Sequence, residues 1–357
     1  MSKLSEIKGA VTVYARQCVA QKLFPGCVAG IIIGSRSEII IEGNLTYDSG
    51  SPKVTENTVY DAASITKSVP TACLALRLIE EGSMSLSSRL IDFVPEFEGT
   101  SRDEITIKHL LSHTLDFDFR LSDKKDLPPR EILGSIFKAR LRAPPGMTFC
   151  YANATSILLG LAVERAAGER LDNAAEIRFF GPLGMKHTTF FPETLCHADV
   201  APSEDDPWRG RIICGEVHDE SAWALRPVMV AGSAGLFSTA PDLLRFLEML
   251  INEGTFRGNR IFKPATVRLM HENALSEGLG AAAALGWELD RPDFMGTRRS
   301  AVAFGKTGFT GCTIVADPSC KAGFVVMTNH IFPRRREDRA AINAVRKRFA
   351  DIVFGSL

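Results

Sequence analysis

Segments of strand character cluster at the two ends of this chain, with a helical middle between them. Cys27–Gly34 and Glu38–Glu42 read as two strands joined at Ser35-Arg36-Ser37. Ala301–Phe304, Cys312–Ala316 and Ala322–Thr328 read as three more, following Gly286-Trp287-Glu288. Backbone groups of a lone strand need a neighbour, so pieces this far apart in sequence are satisfied by one sheet that both chain ends close. Helical periodicity flanks them, over 4–23 with Ile7, Val11, Tyr14, Cys18 and Leu23, and over 337–354 with Ile342, Val345, Phe349, Ile352 and Val353. A third helix is predicted over Pro241–Ile251. Residues 86–200 carry short helical patterns broken by Pro95, Pro128-Pro129, Pro144-Pro145-Gly146 and Pro182, which predicts an all-helical lobe. The expected class is α/β (α+β). Residues 1–60 and 230–357 would form a sheet-and-helix sandwich domain, and 61–229 a mainly helical lobe inserted into it.

The 357 residues suffice for one large core or two moderate ones. With 42 basic and 42 acidic residues the charge balances, which argues against nucleic acid or an anionic membrane as partner. No run approaches the roughly 18 apolar residues of a membrane span. The first residues lack the apolar core of a secretory leader, so a cytoplasmic protein is expected, or a periplasmic or secreted one if a leader has been removed. Cysteines 18, 27, 73, 150, 196, 214, 312 and 320 form no Cys-x-x-Cys pair. Most are expected to be buried, reduced packing residues, and no metal role is expected of them.

Ser64-Ile65-Thr66-Lys67 is the first candidate for chemistry. Positions i and i+3 share a helix face, so the Lys67 amine can meet the Ser64 hydroxyl and help remove its proton. Ser5–Lys8, Ser122–Lys125 and Ser135–Lys138 repeat the spacing. What distinguishes Ser64 is the apolar helix behind it, expected from Ala62 through Val69, Cys73, Leu76 and Ile79 to a stop at Gly82.

Tyr151-Ala152-Asn153 is the second element, just before a helix over 154–167. A tyrosine near two ammonium groups has its phenolate stabilised and can act as a base, while Asn153 could hold Lys67 and a substrate amide. The third is Lys306-Thr307-Gly308. Lys306 would supply positive potential, Thr307 would bind a carboxylate, and Gly308 would let backbone and ligand approach closely. Backbone N–H groups of Ser64 and Phe309 would form an oxyanion hole. Gly305-Lys306-Thr307 is also the tail of a Walker A motif, but the first glycine that motif needs falls at Ser300 and a strand follows instead of a helix. There is no Gly-x-Ser-x-Gly and no His-Glu-x-x-His. His113 is expected to be a structural hydrogen-bonder holding the loop at Thr114. His218-Asp219 is expected in a loop without a triad partner, and Arg334-Arg335-Arg336 on a solvated face.

These three elements, 87 and 155 residues apart, resemble the penicillin-recognising serine hydrolases, in the branch with class C β-lactamases, D-Ala-D-Ala carboxypeptidases and related esterases. Thr106–Thr114, Gly181–Met185, Ala234–Thr239 and Val326–Asn329 are similar to further segments of that family. The resemblance implies an antiparallel sheet with a helical lobe and the site between them, with no metal or organic cofactor. It implies Ser64 as nucleophile, Lys67 as its activator, Tyr151 as proton shuttle and Asn153 as anchor. Lys306 and Thr307 would bind a substrate carboxylate, helped by Asn329. One departure is Leu115-Asp116, where the family usually has Ser-Gly. An inward Asp116 would oppose an anionic substrate.

The function expected is a serine hydrolase working through an acyl-enzyme on amide, β-lactam or ester carbonyls, with Lys306 favouring carboxylate-bearing, peptide-like or β-lactam substrates. An esterase or acyl transferase acting on a small metabolite is the alternative within the class. A non-catalytic binding protein of the same fold is the alternative outside it. The partner is a small or short peptide-like molecule, and the oligomeric state is left open.

Overall fold

The computed structural model describes residues 2–195, 199–336 and 338–357. Cys196 and the expected helix start at residue 337 lie outside the described residues. The main sheet has six strands: β1 (Gly26–Ile33), β2 (Arg36–Gly43), β3 (Glu288–Leu289), β4 (Phe304–Thr307), β5 (Thr313–Asp317) and β6 (Ala322–Thr328). Their spatial order is β2-β1-β6-β5-β4-β3, and every neighbouring pair is antiparallel. The N-terminal hairpin therefore docks through β1 on β6, Cys27 opposite Thr328 and Ile33 opposite Ala322.

Alternation along the strands explains the layers, since successive side chains point to opposite faces. Cys27, Ala29 and Ile31 face a cluster with Val11 of α1 (Lys3–Ala20) and Val345 and Phe349 of the terminal helix, whose range is Ala340–Gly355. Val28 and Ile32 face the other cluster, with Leu243 and Leu247 of the helix Ala240–Ile251. Gly30 leaves room there, because a Cβ would stand 2.3 Å from a Leu244 methyl. Burying both faces of a sheet between helices gives the α/β (α+β) architecture expected, and the helical segments from residue 63 onward pack onto the second face.

Two expectations need correction. The helix behind Ser64 is not continuous: a tight 3₁₀ turn spans Ala63–Lys67, the chain leaves helical geometry at Val69 (φ −112°, ψ 106°), and α2 runs only over Cys73–Glu81. The reason is Pro70, whose ring disfavours helical geometry in the residue before it. The strand expected over Ala301–Phe304 lies later, at Phe304–Thr307, because Ala301 and Val302 are exposed while Phe304 to Thr307 pair with Ala316 to Thr313. Lys306 and Thr307 therefore belong to the sheet itself. The helix over 154–167 is α3 (Asn153–Ala167), ended by Gly168 in left-handed conformation.

Candidate active site

From Thr58 through Leu76 every residue is buried except Ser64. Its presentation begins at Ala63, whose φ of 47° is uncommon for a residue with a Cβ. The Ala63 N–H donates to Asp61 Oδ1 at 2.7 Å, and the His218 N–H donates to Asp61 Oδ2 at 2.8 Å. The Asp61 carbonyl accepts the Thr310 hydroxyl at 2.7 Å. One buried residue thus joins the serine turn, the 218 loop and the chain beyond β4.

Lys67 points back at the serine. Its Nζ is 3.1 Å from Ser64 Oγ and donates to the Ser233 carbonyl at 2.7 Å. Asn153 was expected to hold this lysine, but its amide instead donates to Asp219 Oδ2 at 2.9 Å. Asp219 caps the helix Glu220–Leu225, accepting from the Ala222 N–H and the Ser221 hydroxyl. Burial pushes its carboxyl up, but the Lys67 charge and these hydrogen bonds outweigh that and hold it below the ordinary range.

Tyr151 stands between two ammonium groups, with Lys306 Nζ 4.2 Å and Lys67 Nζ 5.1 Å from its ring centre. Burial raises the phenol's pKa; the Lys306 and Lys67 charges and a hydrogen bond with Ser64 more than reverse this, so Tyr151 ionises below the ordinary tyrosine value. The residue as a whole keeps 44% of its surface exposed, at the edge of a groove of about 520 Å³ that Phe117, Phe119, Arg120 and Arg142 also line. His113 packs its ring 5.0 Å from that of Tyr151, and its carbonyl accepts the Cys150 N–H. It supports the tyrosine segment, whereas the Thr114 N–H goes to the His109 carbonyl, a correction to its expected part. Burial, with Lys306 and Lys67 nearby, keeps His113 neutral. Asp116 is paired with Arg142 at 3.0 Å.

Lys306 is buried and donates to Glu288 Oε1 at 2.7 Å. Thr307 lies opposite Thr313, half-buried at the end of β4. Gly308 serves a closer approach than one to a ligand: a Cβ there would stand 2.5 Å from the Ala62 carbonyl oxygen, so the glycine lets β4 lie directly on the serine turn. The buried Arg346 donates to the Gly308 carbonyl at 2.6 Å and fixes this turn from behind. Phe309 stacks on the His218 ring, centroids 5.4 Å apart, with the Arg339 guanidinium over it.

Asn329 does not face the cleft. It is 3% exposed and its amide donates to the Leu45 and Pro202 carbonyls, so it ties loops together and is withdrawn as a substrate ligand. Arg335 is also not on a solvated face, since it pairs with Glu204 and Glu220, and Glu204 in turn meets His218 Nε2 at 2.6 Å. Among the described residues no cluster of His, Cys, Asp and Glu is arranged to hold a metal ion, and no helix is long and apolar enough to cross a membrane.

The family model described as Beta-lactamase matches residues 14–347. The chain belongs to the beta-lactamase family. It is a serine hydrolase of the β-lactamase and penicillin-binding-protein type. A putative D-alanyl-D-alanine carboxypeptidase of Escherichia coli K12 is 27% identical over 309 residues, 78% of this chain and 70% of that one. A protein of the same description from Salmonella agona is 27% identical over 311 residues, 77% and 70% of the two chains. Among solved structures, EstCE1, described as a hydrolase with promiscuous acyltransferase activity, superposes with a TM-score of 0.78 at 21% identity over 99% of both chains. Simvastatin synthase from Aspergillus terreus gives 0.75 at 19% identity, over 97% of this chain and 98% of that one. These two share the fold with this beta-lactamase family member.

Proposed function

We propose that Ser64 is acylated by an ester, lactam or amide carbonyl and that water then releases the acid. The observation that carries this is Lys67 Nζ at 3.1 Å from Ser64 Oγ, with Tyr151 between Lys67 and Lys306. Lys67 holds the serine hydroxyl by donating to its oxygen, and Tyr151, whose phenolate the two ammonium groups stabilise, takes the serine proton as the oxygen attacks and then passes it to the leaving group. The N–H groups of Ser64 and Phe309 are the donors assigned to the developing oxyanion. Asn153, held by Asp219, is the side chain assigned to the substrate amide or ester oxygen. Lys306 and Thr307 line the substrate side of the cleft, and Lys306 is already paired with Glu288 at 2.7 Å. The curated relatives' printed carboxypeptidase description supports an amide carbonyl as the target, and the printed description of EstCE1 supports the ester and acyl-transfer direction.

The test is hydrolysis of a 4-nitrophenyl ester and of a chromogenic cephalosporin by the native chain, Ser64→Ala and Lys67→Met. The expectation is turnover of at least one substrate that both substitutions abolish. Turnover that survives Ser64→Ala at the native rate overturns the proposal.

A further inference from the structure

Lys306 is only 2% exposed, and an ammonium taken out of water needs a counter-charge. Glu288 supplies it at 2.7 Å. It reaches that place because β3 is the edge strand beside β4, with Glu288 opposite Gly305, the residue before Lys306. The other carboxylate oxygen of Glu288 accepts Arg291 Nη1 at 3.1 Å. Burial pushes the Glu288 carboxyl up, but the charge and hydrogen bond of Lys306, with Arg291, hold it below the ordinary range, so it is anionic at neutral pH. Beyond it lies a groove of about 580 Å³ lined by Glu277, Asp290 and Arg291, where Arg291 is already engaged by Glu288 and Asp293, and Asp290 by Arg299. A carboxylate arriving at Lys306 and Thr307 therefore meets an ion pair, not a lone cation.

We infer that Glu288 is a specificity-determining residue: it takes up the charge of Lys306 and turns the site towards acyl donors that carry no carboxylate. The inference rests on the acyl-enzyme reading and gives it a substrate class, uncharged esters or amides. Removing the Glu288 charge leaves Lys306 with an uncompensated charge that a substrate carboxylate can satisfy.

The experiment compares 4-nitrophenyl hemisuccinate with its methyl ester, which differ by one negative charge, on the native chain, Glu288→Gln and Glu288→Asp. The ratio of the two kcat/KM values is read, because any change in Tyr151 acts on both esters alike. The native chain is expected to prefer the methyl ester. Glu288→Gln shifts the ratio towards the hemisuccinate by about 10-fold or more, and Glu288→Asp, which keeps the charge, retains the native preference. A native preference for the hemisuccinate, or a ratio that Glu288→Gln leaves in place, overturns the inference. The Kd ratio of succinate to its monomethyl ester, measured calorimetrically on Ser64→Ala with and without Glu288→Gln, reads the same charge preference without turnover. Loss of the acyl-enzyme reading would appear as Ser64-independent hydrolysis, a different result from an unmoved ratio.

Discussion

The carboxylate of Asp61 accepts the N–H of Ala63 at 2.7 Å, and so holds in left-handed conformation the residue that precedes Ser64. Both carboxylate oxygens are used as acceptors of backbone N–H groups, the second by His218. Asp61→Asn turns one of these contacts into an N–H facing an N–H. The expected outcome is a fall in kcat of about 10- to 100-fold with KM little changed, since the serine is misaimed while the cleft walls stay. Steady-state kinetics read that split, and a change confined to KM would contradict it.

Tyr151 ionises below the ordinary tyrosine value because the charges on Lys306 and Lys67 outweigh burial. If the phenolate is the active form, kcat/KM rises with pH and levels off below the ordinary value of about 10. Lys306→Met removes the nearer ammonium, so the phenol's pKa goes up and the rising limb moves to higher pH. Tyr151→Phe lowers kcat by about 100-fold or more and abolishes the limb. A pH–rate profile for the three proteins on one neutral ester checks the order.

Gly308 is needed for contact between two parts of the site. In Gly308→Ala the added carbon would meet the Ala62 carbonyl oxygen at 2.5 Å and the Ala63 Cβ at 3.3 Å, neither of them the end of a flexible side chain that could give way. The strand must move off the serine turn, which costs about 1–3 kcal/mol and separates the N–H of Phe309 from that of Ser64. Urea unfolding and kcat should fall together.

Glu204 lies buried against His218 and Arg335. Burial pushes its carboxyl up, but the two partners outweigh this and bring it down to about 2. A carboxylate depressed on folding contributes stability that is complete above its unfolded value of about 4.3, and that stability fades as pH falls towards 2. The contribution is of the order of 3 kcal/mol. Urea midpoints measured between pH 6 and pH 2.5 should fall more steeply for the native chain than for Glu204→Gln.

Much of this arrangement was legible because its chemistry is local. Ser64 and Lys67 are one turn apart, Tyr151 and Asn153 flank one helix start, and Lys306 to Gly308 end one strand, so short-range spacing locates each. The partners that set their charge and orientation come from elsewhere in the chain. Glu288 enters through strand pairing, the Ser233 carbonyl through a loop, and Asp219 through a helix cap that only the folded chain brings to Asn153. Of these, the cap had a sequence signal, an aspartate directly before Glu220-Ser221-Ala222. Pro70 likewise announced the break in the serine helix, since a proline within a helical pattern interrupts it at the residue before. Asn329 misled because its place in the sequence next to the last strand says nothing about which way its amide turns, and buried carbonyls at Leu45 and Pro202 claim it.

The central claim is that Ser64 forms the acyl-enzyme. The most direct measurement is intact mass of the native chain and of Ser64→Ala, followed over time with a penicillin and with an activated nitrophenyl ester, with peptide mapping of any adduct. With the uncharged nitrophenyl ester the account predicts a mass increase equal to the acyl group on the native chain, on the peptide containing Ser64, and none on Ser64→Ala, with slower labelling by the carboxylate-bearing penicillin. An adduct mapped to another residue, or one that forms equally on Ser64→Ala, would contradict it.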